Sequence, residues 1–158
     1  MNQNTPNFGR FFHEFKVGDV YDHWPCKTVT ESDNNLFCLL TMNHHPVHLD
    51  GDYAMRSQHE RILVVGTLIF SLVVGLSVRD VSGNAIANLS YDNVVHHRPV
   101  FLGDTIRARS QVLSVRPSET KKDRGVVTVS TEAFNQNDDM VLSFNRSVLV
   151  RRIGSEEL

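Results

Sequence analysis

Cysteine is scarce in this chain. Its two residues, Cys26 and Cys38, match neither a metal knuckle nor a redox pair in spacing, so no disulfide framework or thiolate metal site is expected. Free thiols of this kind suit a reduced, cytoplasmic setting. An excess of either charge is also missing: 16 Lys and Arg stand against 18 Asp and Glu, a net −2. Without a basic surplus to match a phosphate backbone, nucleic acid is not an expected partner. An apolar leader is absent too, because Met1 to Gly9 is polar and contains Pro6, and the segment reads as a loose tail. Repeats, low-complexity tracts and linkers are lacking. The 158 residues suit one domain with one core, and we expect a flexible tail over 1–14, a domain over 15–152 and a second tail over 153–158.

What the chain does have is one long apolar run, Ile62 to Val78, free of charged residues. Its length lies at the lower edge of what spans a bilayer. Gly66, Thr67, Ser71, Gly75 and Ser77 interrupt it, and segments that alternate like half-buried strands lie on both sides. A core helix enclosed on all sides is therefore expected, with no membrane partner. Before it, Val20 to His23 and Cys26 to Thr30 read as short strands. Thr30 or Ser32 offers an N-cap for a helix through Asn34 to Leu40, and Glu31 and Asp33 suit its first turn. Pro46 ends any continuation.

Every later segment reads as strand. Asn84 to His97 and Thr105 to Arg116 are β-rich. Val127, Val129, Thr131 and Ala133 share one face of the next segment, and Met140, Leu142, Phe144, Val148 and Val150 share one face of the last. This period of two marks a sheet with one buried side, and the polar strings 118–124 and 135–139 are its hairpin loops. A helix apolar all round must be wrapped, and a long antiparallel sheet is the element available to wrap it. The expected class is therefore α+β with a hot-dog arrangement. Its open edge strand implies a symmetric homodimer or higher oligomer.

Chemistry concentrates at Asn43 to Asp50, where three histidines, an asparagine and an aspartate surround a proline. Imidazole exchanges protons near neutrality. Gly66, near the start of the apolar helix, leaves bare amides at the positive end of the helix dipole. Such amides can hold a carbonyl oxygen as it gains negative charge. A base beside an oxyanion site describes chemistry at the carbons next to a carbonyl.

Pro46-Val47-His48-Leu49-Asp50, then Tyr53-Ala54, then Val65-Gly66 with Gly66 eighteen positions after His48, resembles the motif of the MaoC-like (R)-specific enoyl-CoA hydratases. Arg98-Pro99-Val100 and Gly103-Asp104-Thr105-Ile106 resemble a strand-turn element of the same family, and the likeness runs from about Phe15 to Val150. Leu36 to Asn43 is similar to the mesaconyl-CoA hydratase and β-methylmalyl-CoA dehydratase branch. The resemblance implies a hydro-lyase that acts on an acyl-CoA thioester, with CoA as the substrate's carrier and no other cofactor. In that family a histidine and an aspartate five residues before it activate a water, while a glycine amide holds the thioester oxygen. Carried over, His48 is the acid–base group and Gly66 the oxyanion donor. Asn43 stands where the family has aspartate, and it can orient a water but not take its proton. A neutral Asn43 would also spare a dicarboxylic substrate a like-charge repulsion of about 1–4 kcal/mol. Val65 and Thr67 beside the glycine, and Asp50 and Tyr53 after the histidine, are the expected substrate contacts.

Other readings compete. His44, His45 and His48 with Asp50 have the chemistry of a zinc site, but Pro46 breaks their spacing, and no metal is expected. Asp50 suits a turn cap as well as a contact to His48. His96 and His97, neighbours on a strand, are expected to face opposite sides as ordinary surface or interface residues. Lys121, Lys122 and Arg124 have the charge to meet CoA phosphates, although a charged hairpin loop is usually only solvated. In function, the alternatives are a hot-dog thioesterase and a non-catalytic acyl-CoA-binding protein, and an acyl-carrier-protein thioester is a further substrate.

Overall fold

The computed structural model describes residues 8–152. Residues 1–7 and 153–158, and the tails expected there, lie outside the described residues. Two short strands open the fold, β1 (Val20–Asp22) and β2 (Lys27–Thr28), followed by helix α1 (Glu31–Thr41). A 3-10 turn over Pro46–His48 and the short α2 (Gly51–Met55) lead to α3 (Gly66–Leu76). Four long strands complete it: β3 (Ala85–His96), β4 (Thr105–Pro117), β5 (Arg124–Phe134) and β6 (Met140–Arg151).

All pairings are antiparallel, in the order β1-β4-β5-β6-β3, and β2 also lies along β4. The consecutive strands β3 and β4 are thus separated by β5 and β6, and β3 forms one edge of the sheet. On β5 and β6 alternate residues are buried as the period of two requires, among them Val127, Val129, Thr131, Ala133, Leu142, Phe144, Val148 and Val150. Ile69 and Val73 of α3 pack into this face with Ile106, Leu142 and Phe144. Burial of such side chains contributes about 1.5–3 kcal/mol each.

Three expectations need correction. The packed domain starts before Phe15: Phe12 is buried beside Phe15, Val127 and Val148, and Arg10 pairs with Asp80 at 2.9 Å. The apolar run is helical only from Gly66, because Leu63 is drawn into a bridge with Phe101 and the Val64 amide donates to Val100. Beyond Leu76 the chain widens into a π-turn over Val78–Ser82. Nor is α3 enclosed on all sides, since Thr67, Ser71 and Gly75 form an exposed stripe. No helix among the described residues is long and apolar enough to cross a membrane.

One inward position on β6 is not apolar. Arg146 is buried between Phe144 and Val148, and its guanidinium donates to Ser77 Oγ, Ser82 Oγ and Asn88 Oδ1. Burial lowers its pKa. Four neutral-acceptor hydrogen bonds and the negative end of the α3 dipole offset part of the desolvation.

Candidate active site

The site is assembled where three backbone segments meet. α1 starts at a capping box: Thr30 Oγ1 accepts from the Asp33 amide, and Asp33 Oδ2 accepts from the Thr30 amide at 2.8 Å. Lys27 lies 2.8 Å from the same carboxylate oxygen. The Lys27 ammonium, then the Thr30 amide and hydroxyl, hold the Asp33 carboxyl down at about 2. The helix closes at Met42 in the left-handed region (φ 59°), and the chain turns through Asn43 into the 3-10 turn that presents His48.

His48 Nδ1 lies 2.7 Å from the Leu63 carbonyl. A carbonyl only accepts, so Nδ1 carries a hydrogen, and in the neutral tautomer that this bond selects the lone pair lies on Nε2. The extended backbone at residue 63 therefore sets the tautomer of the base, a second reason why helix at that point would be wrong for the site. Gly66 is the first residue of α3, where amides lack an intrahelical partner. His48 and Gly66 line one cleft of about 260 Å³ together with Ile69, His96, His97 and Arg98. The chemistry available there is a neutral base opposite a donor for negative oxygen.

Asn34 joins the two halves. It is fully buried; its Nδ2 donates to the His48 carbonyl at 2.9 Å, and its Oδ1 accepts from the Val65 amide at 3.1 Å. One carboxamide thus ties the turn that bears His48 to the start of the helix that opens at Gly66. The other expected site residues are placed less centrally. Asn43 is half-buried and its Oδ1 accepts from the His45 amide at 3.4 Å, so it braces the turn. Val65 is buried, and Thr67 faces outward on α3. Asp50 caps α2 by accepting from the Tyr53 amide at 3.0 Å, and the Tyr53 ring stands edge-on to His45. None of these five lines the cleft.

His96 and His97 are exposed, as expected of surface residues, but both line the cleft instead of facing opposite ways. The reason is local: β3 is bulged between Asp92 and Val95, with Asn93 at φ 53°, and the strand ends at His96, so alternation no longer governs the next residue. The His97 ring meets Ser143 Oγ at 2.8 Å. The His96 ring lies over Gly66, where an added Cβ would come within 3.1 Å of its Cε1. Burial, and secondarily the neighbouring His97, push the His96 imidazole down from its ordinary pKa. Arg124 is held by Asp123 within the hairpin. No three of the described His, Cys, Asp and Glu side chains come together as a metal set.

The family model of mesaconyl-CoA hydratase matches residues 2–157. Mesaconyl-CoA hydratase of Cereibacter sphaeroides is 35% identical over 92% of this chain, which covers 42% of that protein. A MaoC-domain dehydratase structure from Chloroflexus aurantiacus superposes with a TM-score of 0.90 at 32% identity, over 99% of this chain and 44% of the other. A Mycobacterium tuberculosis protein with a double hot-dog fold shares the fold at a TM-score of 0.86 and 21% identity, over 98% of this chain and 48% of its own. The chain thus spans less than half the length of these relatives, one hot-dog unit where the last has two. By the family model and by identity over nearly its whole length, the chain belongs to the mesaconyl-CoA hydratase family of MaoC-like hot-dog proteins.

Proposed function

We propose that the protein is a hydro-lyase that adds water across the C2=C3 bond of an enoyl-CoA, or removes it, with a branched dicarboxylic acyl group of the mesaconyl kind as substrate. The observation that carries this reading is the bare Nε2 of His48 in the same cleft as the first amide of α3. His48 Nε2 takes a proton from water as the water oxygen bonds to C3. The π electrons move through C2 onto the thioester oxygen, which the Gly66 amide and the helix terminus stabilise. The imidazolium then returns its proton to C2, and the enolate collapses to the hydroxyacyl thioester. Both proton steps run through His48, because the Asn43 carboxamide cannot take a proton. No cofactor beyond the substrate's own CoA enters this sequence.

The test follows enoyl absorbance and free thiol together on mesaconyl-CoA. Loss of the enoyl band without thiol release is expected; thiol release in its place would make the protein a thioesterase. Binding without either change would make it an acyl-CoA-binding protein.

We further propose a cytoplasmic homodimer. The unpaired edge of β3, where Ile86, Leu89, Val94 and Val95 are exposed, supports a second copy docked along that strand.

A further inference from the structure

The cleft around His48 has a one-sided charge. No Asp or Glu is among the described residues that line it, whereas three imidazoles, His48, His96 and His97, and the Arg98 guanidinium are. The positive end of α3 faces the same space. Most of these groups are already committed. His48 Nδ1 is bonded to Leu63, the His97 ring to Ser143, and Arg98 Nε lies 3.4 Å from Asp139. His96 differs, because neither of its ring nitrogens has a hydrogen-bond partner among the described residues. Its ring rests on Gly66, beside the amide that would receive the thioester oxygen.

Packing over a glycine is work a phenyl ring could do as well, whereas an imidazole at this half-open rim also brings two ring nitrogens able to bond a ligand in the cleft. Burial, then the neighbouring His97, lowers the pKa of the ring in the empty cleft. An anion beside it reverses that balance, since an opposite charge favours the protonated form.

Building on the hydratase reading, we propose that His96 is the specificity-determining residue of the site. Its ring binds the second carboxylate of a dicarboxylic enoyl thioester while the thioester oxygen sits on Gly66. A cleft lined by cations and neutral groups, with Asn43 uncharged on the turn behind His48, accepts such a substrate without a carboxylate to repel it.

The test compares mesaconyl-CoA with tiglyl-CoA, which carries a methyl group in place of the second carboxylate. In His96→Phe, kcat/KM for mesaconyl-CoA should fall at least tenfold, mainly through KM, and that for tiglyl-CoA should stay within about twofold. His96→Gln, which keeps a donor, should retain more mesaconyl-CoA activity than the Phe variant. Equal losses on both thioesters, or no loss on either, would overturn the proposal. So would a wild type that prefers tiglyl-CoA, although that outcome leaves the hydratase reading standing. Calorimetric titration with succinyl-CoA and butyryl-CoA, which contain no double bond to hydrate, separates binding from turnover. The wild type should bind succinyl-CoA the more tightly, and both His96 variants should weaken that preference, Phe the more. A wild type with no such preference refutes the carboxylate site even if hydration is observed, whereas a wild type that has it but hydrates neither enoyl thioester refutes the hydratase reading alone.

Discussion

At His48 the deciding matter is which nitrogen holds the hydrogen. The Leu63 carbonyl answers it by accepting from Nδ1, so replacement of the imidazole removes the proposed base together with that one hydrogen bond. His48→Ala should lower kcat by about 10²–10⁴-fold, in line with a general acid–base group, while calorimetry still detects CoA thioester binding; unchanged turnover would remove His48 from the mechanism. Asn34 acts through others. Asn34→Ala leaves the His48 carbonyl and the Val65 amide without their partner, at a cost of about 1–3 kcal/mol for each group left buried and unpaired. Both a lower melting temperature and a kcat loss greater than the KM change are expected. A loss of stability alone would make Asn34 purely structural. That His48 and Gly66 would share a cleft was legible through the family motif that the chain resembles, in which a histidine and a helix-start glycine stand at a fixed spacing. Asn34 was not, because its two partners lie 14 and 31 residues away and nothing in a polar residue near a helix start announces them.

Among the elements, strands and α1 follow directly from local chemistry. The four long strands match their alternation to within a residue or two, and α1 starts where Thr30 can cap it. The cap predicts a pH dependence. With the Asp33 carboxyl held near 2 against an ordinary 3.8, its stabilisation is complete above about pH 4 and is lost as pH falls towards 2. Asp33→Asn should therefore lower stability by about 1 kcal/mol at neutral pH, with the gap to wild type closing as acid unfolding scans approach pH 2. A gap that persists there would assign the effect to packing. The start of α3 was not legible in the same way. Residues 62–65 are as apolar as the helix that follows, and partners distant in sequence, among them Phe101, Val100, Val47 and Asn34, hold them extended. The site depends on that difference, since an extended residue 63 is what frees its carbonyl for His48.

For the molecule as a whole, the exposed apolar residues of β3 argue that the isolated chain is not the working particle. Light scattering should give twice the 17.9 kDa chain mass. Leu89→Lys with Val94→Lys should shift that mass to the monomer and lower activity, whereas an unchanged mass would move the interface elsewhere. The edge was readable from the sheet pattern, but Arg146 was not: it occupies an inward position in an otherwise apolar series, and its acceptors come from α3, the π-turn and β3. Arg146→Met should cost about 1–3 kcal/mol, the penalty for a neutral acceptor left buried and unpaired, measured by denaturant unfolding. The guanidinium also acts as a rivet. It fastens the far end of α3 to the edge strand, and the 11 residues of the helix make a rod of about 16 Å whose near end is the Gly66 amide. A neighbour docked on the edge strand would therefore press, through Arg146, on the same rod that opens at Gly66.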